Sequence, residues 1–262
     1  MLLTVAISTA NDRLRNIQLP DNYGGCKFLV IQQIYDVSLD NVNYSGVLSR
    51  NDVDHHILNY AGLSKSRNFG IAHATTKYLF IMDDDVAFDV ERMQTLIEWM
   101  GQNNVDVATC QHKYESGNFA KNYQPQPFRH NIFSLAKVSS IDICLNLEKV
   151  REYRLNFDER FGLGSDFPSG EEYIFLADCL KSGLNVWFYP ITVGVHPDIT
   201  SGMDFYTSPA KTLAKREMLK RIFGWKSPLF IFAFWLKKLP HVFKAGYLTS
   251  FTKNMLVGSK LD

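Results

Sequence analysis

Asp83, Asp84 and Asp85 follow one another at the end of YLFIMDDDVAF, an apolar run that begins at Tyr78. Three like charges in a row repel one another, and nothing about folding asks for them; a bound cation does. Carboxylate oxygens are hard ligands suited to Mg²⁺ or Mn²⁺, and such an ion keeps positions open for substrate phosphates. The chemistry indicated is a divalent metal on a diphosphate, with Asp83 and Asp85 as its ligands. The plainer alternative is a solvated acidic turn, with Asp89 as N-cap of the helix that begins VERMQ. A second acidic pair, Glu171-Glu172, opens a helix, where Ser169-x-x-Glu172 has the form of a capping box. Carboxylates are favoured at a helix N-terminus, which also lowers their pKa.

The elements around these acids alternate in type. LLTVAIS, KFLVIQQ and KYLFIMD are short apolar runs that fit strands covered on both faces, as in a parallel sheet between helices. Between the second and third, Leu63, Phe69, Ile71 and Ala74 sit at loosely helical spacing, which suits a right-handed crossover. Met93, Leu96, Ile97 and Met100 form the stripe of an amphipathic helix from Val90 that ends at Gly101. VDVAT is the next strand, Gly117, Pro125 and Pro127 mark loops or an edge hairpin, and NVWFYP is a late strand after a helix reaching about Ser182. The order is α/β, with ligands expected at the carboxyl ends of the strands.

An apolar run ending in Asp-x-Asp also resembles the motif of haloacid-dehalogenase-like phosphatases, and nucleotidyltransferases share its metal logic. In the phosphatases, however, the motif opens the domain, whereas here about eighty residues and two strand-like runs precede it. The segment GLSKSRNFGIAHATTKYLFIMDDD more closely resembles the centre of a family 2 type glycosyltransferase of the GT-A fold. Gly62, Ser64, Arg67, Asn68 and Gly70 stand in that family's G-x-S-x-x-R-N-x-G order, followed by a strand and the aspartates. FDERFGLGSDFPSGEEY is similar to its F-D-E-x-F-G-x-G … G-E-D-y block, with Glu172 where the family most often has Asp.

This resemblance, which covers about Leu3 to Pro197, implies a Rossmann-like, mixed but mostly parallel sheet flanked by helices. It implies that Arg67, Asn68, Asp83 and Asp84 border a nucleotide-sugar donor, while Asp83, Asp85 and His196 hold Mn²⁺ or Mg²⁺. Ser8, Thr9 and Asn11 would cradle the base and ribose, although the family's proline is absent from that turn. Gln33, or Gln32, would read the base. Glu172 would deprotonate the acceptor hydroxyl; its extra methylene keeps Glu171 open as the base. The reaction implied is an inverting transfer from a UDP-sugar to a hydroxyl of a glycan or lipid-linked acceptor, in cell-surface polysaccharide synthesis. A membrane-peripheral binding protein without turnover is the non-catalytic alternative.

With 46% hydrophobic and 13% aromatic residues in 262, the chain is globular rather than disordered. Its net charge of +1 conceals an asymmetry: residues 210–262 hold eleven basic against two acidic side chains, and the remainder 17 against 25. We therefore divide the chain into a catalytic domain, 1–209, and a basic, aromatic, helical tail, 210–262. PLFIFAFWL with its flanking lysines suits a helix lying on an anionic membrane surface, or one packed on the domain or on a second copy in a homodimer. Nucleic acid is not expected, because the positive charge is confined to the tail and no RNA or DNA motif accompanies it. Scattered Cys26, Cys110, Cys144 and Cys179 read as reduced thiols. No apolar run is long enough to span a bilayer. A cytoplasmic protein, peripheral on the inner face of the membrane, is expected.

Overall fold

The computed structural model of the chain describes residues 2–20, 24–35, 48–198 and 208–258. The three apolar runs form strands β1 (Leu3–Ala10), β2 (Cys26–Gln33) and β4 (Tyr78–Asp83). Alternate residues point to opposite faces. Val5, Ile7, Phe28, Val30, Phe80 and Met82 accordingly enter one apolar cluster, and Ala6, Leu29, Ile31, Leu79 and Ile81 enter the other. Helix α1 (Leu63–His73) packs on the second face and α2 (Val90–Gln102) on the first. The expected cap of α2 is present, since Asp89 Oδ1 accepts from Arg92 N at 3.1 Å.

Among the described residues the sheet runs β3 (Val53–Leu58), β2, β1, β4, β8 (Ile143–Asn146), β6 (Val107–Tyr114), β9 (Val186–His196) and β5 (Ala87–Phe88), with β7 (Phe128–Arg129) against β9. Strands β1 to β4 are mutually parallel; β8 (Ile143–Asn146) is antiparallel to both β4 and β6 (Val107–Tyr114); β6 and β9 (Val186–His196) are parallel. One antiparallel strand thus joins two parallel sets whose carboxyl ends share an edge. In register, Ser8 lies opposite Asp83 and Tyr114 opposite His196.

Three elements differ from the sequence reading. Strand β3 (Val53–Leu58) was not anticipated because it is an edge strand: only its ends, Val53 and Leu58, are buried, so VDHHIL has no apolar run. Strands β6 and β9 outlast their expected ends at Thr109 and Pro190. Their pairing slips between Thr109 and Gln111, where Phe188 gives way to Thr192 as a partner, and this irregularity carries Pro190 off the ladder. On the other side of β9 from β6, β5 (Ala87–Phe88) pairs antiparallel with its outer end, and β7 (Phe128–Arg129) is a second short antiparallel addition to β9.

Short α3 (Leu147–Glu152) follows β8, and α4 (Glu171–Lys181) leads to β9. The basic tail is helical, as α5 (Pro209–Phe223), α6 (Ser227–Lys244) and α7 (Leu248–Thr252). It shares its core with the rest: Met218, Leu219, Ile222, Ile231, Val242 and Phe251 belong to the same buried cluster as Leu79 and Phe175. Leu229, Phe232, Leu236 and Phe243 nevertheless stay exposed along α6, beside the exposed Trp225. No described helix is long and apolar enough to cross a membrane.

Candidate active site

Two cavities open at the carboxyl edge of the sheet. The first, about 560 Å³, is lined by the turn from Ser8 to Arg13 together with Gln33, Gly62, Asp83, Asp84, Asp85 and His196. It gathers most of the predicted donor residues, but several do more structural work than expected. Asp84, expected on the donor, is buried and engaged by the protein: Thr9 Oγ1 donates to it at 2.6 Å and the Arg13 guanidinium also bonds it. Burial raises its pKa despite those two partners. Gln33 donates to the carbonyls of Tyr60 and Gly62 at 2.9 and 3.0 Å, so the amide nitrogen of the residue expected to read the base anchors the loop before α1. Gln32 donates to Asn11 O at 2.7 Å and pairs with His55, fixing the turn in which Asn11 takes a positive φ of 51°. Ser8 accepts from Ser66 at 2.8 Å.

Arg13 was missed. It lies within the short 3₁₀ turn Asn11–Asn16 and ties that turn to the aspartates, reaching Asp85 Oδ2 at 3.1 Å. Its only signal in the sequence is a cation just after the nucleotide-cradling turn.

Asp85 Oδ1 is buried with no hydrogen-bond partner and lies 3.8 Å from His196 Nε2. The other ring nitrogen, Nδ1, donates to Pro197 O at 2.7 Å, so in the neutral ring the lone pair is on Nε2. With the ring neutral, that lone pair and the unpartnered carboxylate oxygen face one another, an arrangement that suits a cation between them. Among the described residues no group of three or more His, Cys, Asp or Glu converges on a metal position, so remaining ligands would come from substrate and water. The third expected ligand, Asp83, accepts instead from Arg67 at 3.3 Å.

The second cavity, about 380 Å³, adjoins the first through Asp83, Leu63, Leu163 and His196, and is lined by Arg67, His112, Glu171, Glu172, Lys211 and Lys215. Arg67 is 2% exposed and bridges the two, donating to Glu171 Oε1 at 2.8 Å as well as to Asp83. Glu172 differs from Glu171 in having a buried oxygen, Oε2, without a partner. Burial, and then the Glu171 charge, push the Glu172 carboxyl well above its ordinary range, outweighing the opposing Arg67. The capping box is absent: Gly170 is the N-cap, at φ 99°, with no side-chain cap bond. That residue must be small as well as left-handed, because a Cβ there would stand 2.9 Å from Met218 Sδ on α5.

Asn68, expected at the donor, faces elsewhere. Its side chain makes two bonds to the Phe157 backbone, at 3.0 and 2.7 Å, and lines a separate pocket with Tyr60 and Phe69. Successive residues on a helix point about 100° apart, and here Arg67 enters the cleft while Asn68 turns toward the Phe157 backbone. A further group absent from the sequence reading is the buried Asp142, which bonds His112 Nδ1 at 2.7 Å and Lys121 Nζ at 3.0 Å. Burial would raise its pKa, but Lys121 and His112 prevail and hold it below the ordinary range. Beyond this cluster lies a third cavity, about 660 Å³, that contains none of the predicted site residues.

Residues 49–162, which include Arg67 and all three aspartates, match the model of glycosyl transferase family 2. The chain carries a family 2 glycosyltransferase domain. Glu171, Glu172 and His196 lie beyond the matched span of that glycosyltransferase domain, where the structure alone places them beside the aspartates. The fold is GT-A, in agreement with solved structures of S. aureus TarS. The 1–349 fragment of TarS in complex with UDP is 15% identical, with a TM-score of 0.57, over 97% of this chain and 81% of that one. The same fragment with UDP-GlcNAc is 14% identical, with a TM-score of 0.54, over 97% and 82%. Against the longer TarS structure (TM-score 0.55, 15% identity) the match takes in 86% of this chain, which spans only 44% of that one. A search of curated proteins found no match.

Proposed function

We propose that this glycosyltransferase domain moves a sugar from a UDP-sugar to a hydroxyl of a glycan or lipid-linked acceptor with inversion, in cell-surface polysaccharide synthesis. The carrying observation is the unpartnered, buried Oε2 of Glu172 in a cavity that shares a wall with the Asp85–His196 pair. A carboxyl with a raised pKa is a competent proton acceptor near neutral pH. Glu171 is held in place beside the base by its ion pair with Arg67. Asp85 and His196, beside Asp83, are the residues that would hold Mn²⁺ or Mg²⁺, which when bound offsets charge on the departing diphosphate. The likeness to a fold solved with UDP and UDP-GlcNAc supports the donor class.

Calorimetric titration tests the donor and the metal separately. UDP affinity is expected to rise about tenfold or more on replacing EDTA with Mn²⁺, a difference of about 1.4 kcal/mol. Asp85→Ala and His196→Ala are expected to lose that gain and keep the metal-free affinity. Equal binding with and without Mn²⁺ would refute the metal, and no UDP binding would refute the donor.

The proposal includes a place on the inner face of an anionic membrane. The exposed Leu229, Phe232, Leu236 and Phe243 share α6 with Lys237, Lys238 and Lys244, and no acidic residue occurs between Lys226 and Lys253. The protein is expected to co-sediment with phosphatidylglycerol vesicles, less with phosphatidylcholine, and Phe232→Glu/Leu236→Glu should abolish it. Failure to sediment with either, together with a dimer in solution, would assign the stripe to a second copy instead.

A further inference from the structure

We infer that the acceptor is anionic and that Lys215 binds its phosphate or carboxylate. The inference rests on reading the Glu171–Glu172 cavity as the place of transfer, and adds what that cavity selects. Lys215 lines this cavity from α5, and Lys211 lines it one turn earlier on the same helix. The approach is close: α5 meets the start of α4 where Met218, three residues on from Lys215, abuts Gly170, immediately before the two glutamates.

The other cations of this wall are already matched. Arg67 is held by Glu171 and Asp83, and Lys121 by Asp142 and Ser139. Lys215 has a different environment. Its Nζ lies 3.8 Å from Met218 Sδ and 5.9 Å from the centre of the Phe234 ring, and it makes no ion pair with a carboxylate among the described residues. A thioether and an aromatic face replace little of an ammonium's hydration, and burial lowers its pKa even though the nearby Glu172 and Glu171 charges oppose the shift. A positive charge kept in a cavity at that cost, with Glu172 and Glu171 acting on it only through space and no carboxylate in direct contact, is matched by an anion from the ligand. The donor's diphosphate is not that anion. Lys215 lines the cavity of the glutamates and is absent from the walls of the one formed by Ser8–Arg13 and Asp85.

The test uses the full chain saturated with UDP and Mn²⁺, so that the donor cavity is filled. Glucose 1-phosphate, glucuronate and methyl glucoside are then titrated as probes. The expected result is binding of at least one anionic probe about tenfold or more tighter than the neutral sugar. Phosphate-only preference identifies a phosphate-bearing acceptor, and preference for both a general anion site. Lys215→Met, whose side chain suits the surroundings of Met218 and Phe234, should abolish the preference while UDP affinity and melting temperature hold. Lys215→Gln provides a polar second variant, and Lys77→Met, exposed and outside both cavities, should change nothing. Equal binding of all three probes by the wild-type protein overturns the inference, as does a preference that survives both Lys215 variants. Loss of UDP affinity in the Lys215 variants also overturns it, by assigning the lysine to the donor. Absence of UDP binding in the wild-type protein would instead defeat the glycosyltransferase reading itself.

Discussion

Glu172→Gln is expected to lower kcat for sugar transfer by about 10²- to 10⁴-fold, the range typical of losing a general base, with little change in donor KM. The glutamine retains the shape and the position on α4 but accepts no proton. The wild-type rate should itself depend on pH in a defined direction. Because burial and Glu171 raise the Glu172 pKa, the carboxyl holds its proton below that value, and activity falls as pH falls through it. The acid limb of the profile should therefore lie above the ordinary carboxylate range. Stability runs the opposite way: a raised folded pKa gives stability that is present below the unfolded pKa and lost as pH rises through the folded one. Glu172→Gln should remove that loss, so its melting temperature should fall less than the wild type's over the same window. A variant that transfers sugar at the wild-type rate would reassign the base, with Glu171 the next candidate.

Arg67→Met should destabilise the domain by about 3–5 kcal/mol, the cost of removing one partner from a buried ion pair. The guanidinium is 2% exposed and serves Glu171 and Asp83 together, so its loss strands two carboxylates at once. Urea denaturation measures the loss, and adding Glu171→Gln should recover part of it because one stranded charge is then removed. An unchanged unfolding midpoint in the single variant would mean that the pair contributes nothing to folding.

Much of the fold was legible because β1, β2 and β4 are covered on both faces and so read as unbroken apolar runs. Strand β3 escaped because one covered face and an exposed edge leave too few buried residues to form a pattern. The outer half of β6, QHKY, escaped for a different reason: His112 and Gln111 are buried through polar contacts, which hydropathy registers as surface. In the site, sequence order located Arg67, the aspartates and the glutamates, but a linear motif carries no direction. It could not tell that Asn68 turns its back on Arg67, or that Asp84 bonds Thr9 and Arg13 from a distant turn. Lys215 had no signal at all beyond its charge, since its position depends on α5 packing against Gly170.

Arg67 also touches the acids of both cavities, donating to Asp83 on the donor side and Glu171 beside the base. Any ligand that draws Asp83 away from it strengthens its hold on Glu171, and thermodynamic linkage makes that influence mutual. Such wiring favours a compulsory order of arrival in steady-state kinetics: filling the first cavity resets the charge distribution that a later substrate meets in the second.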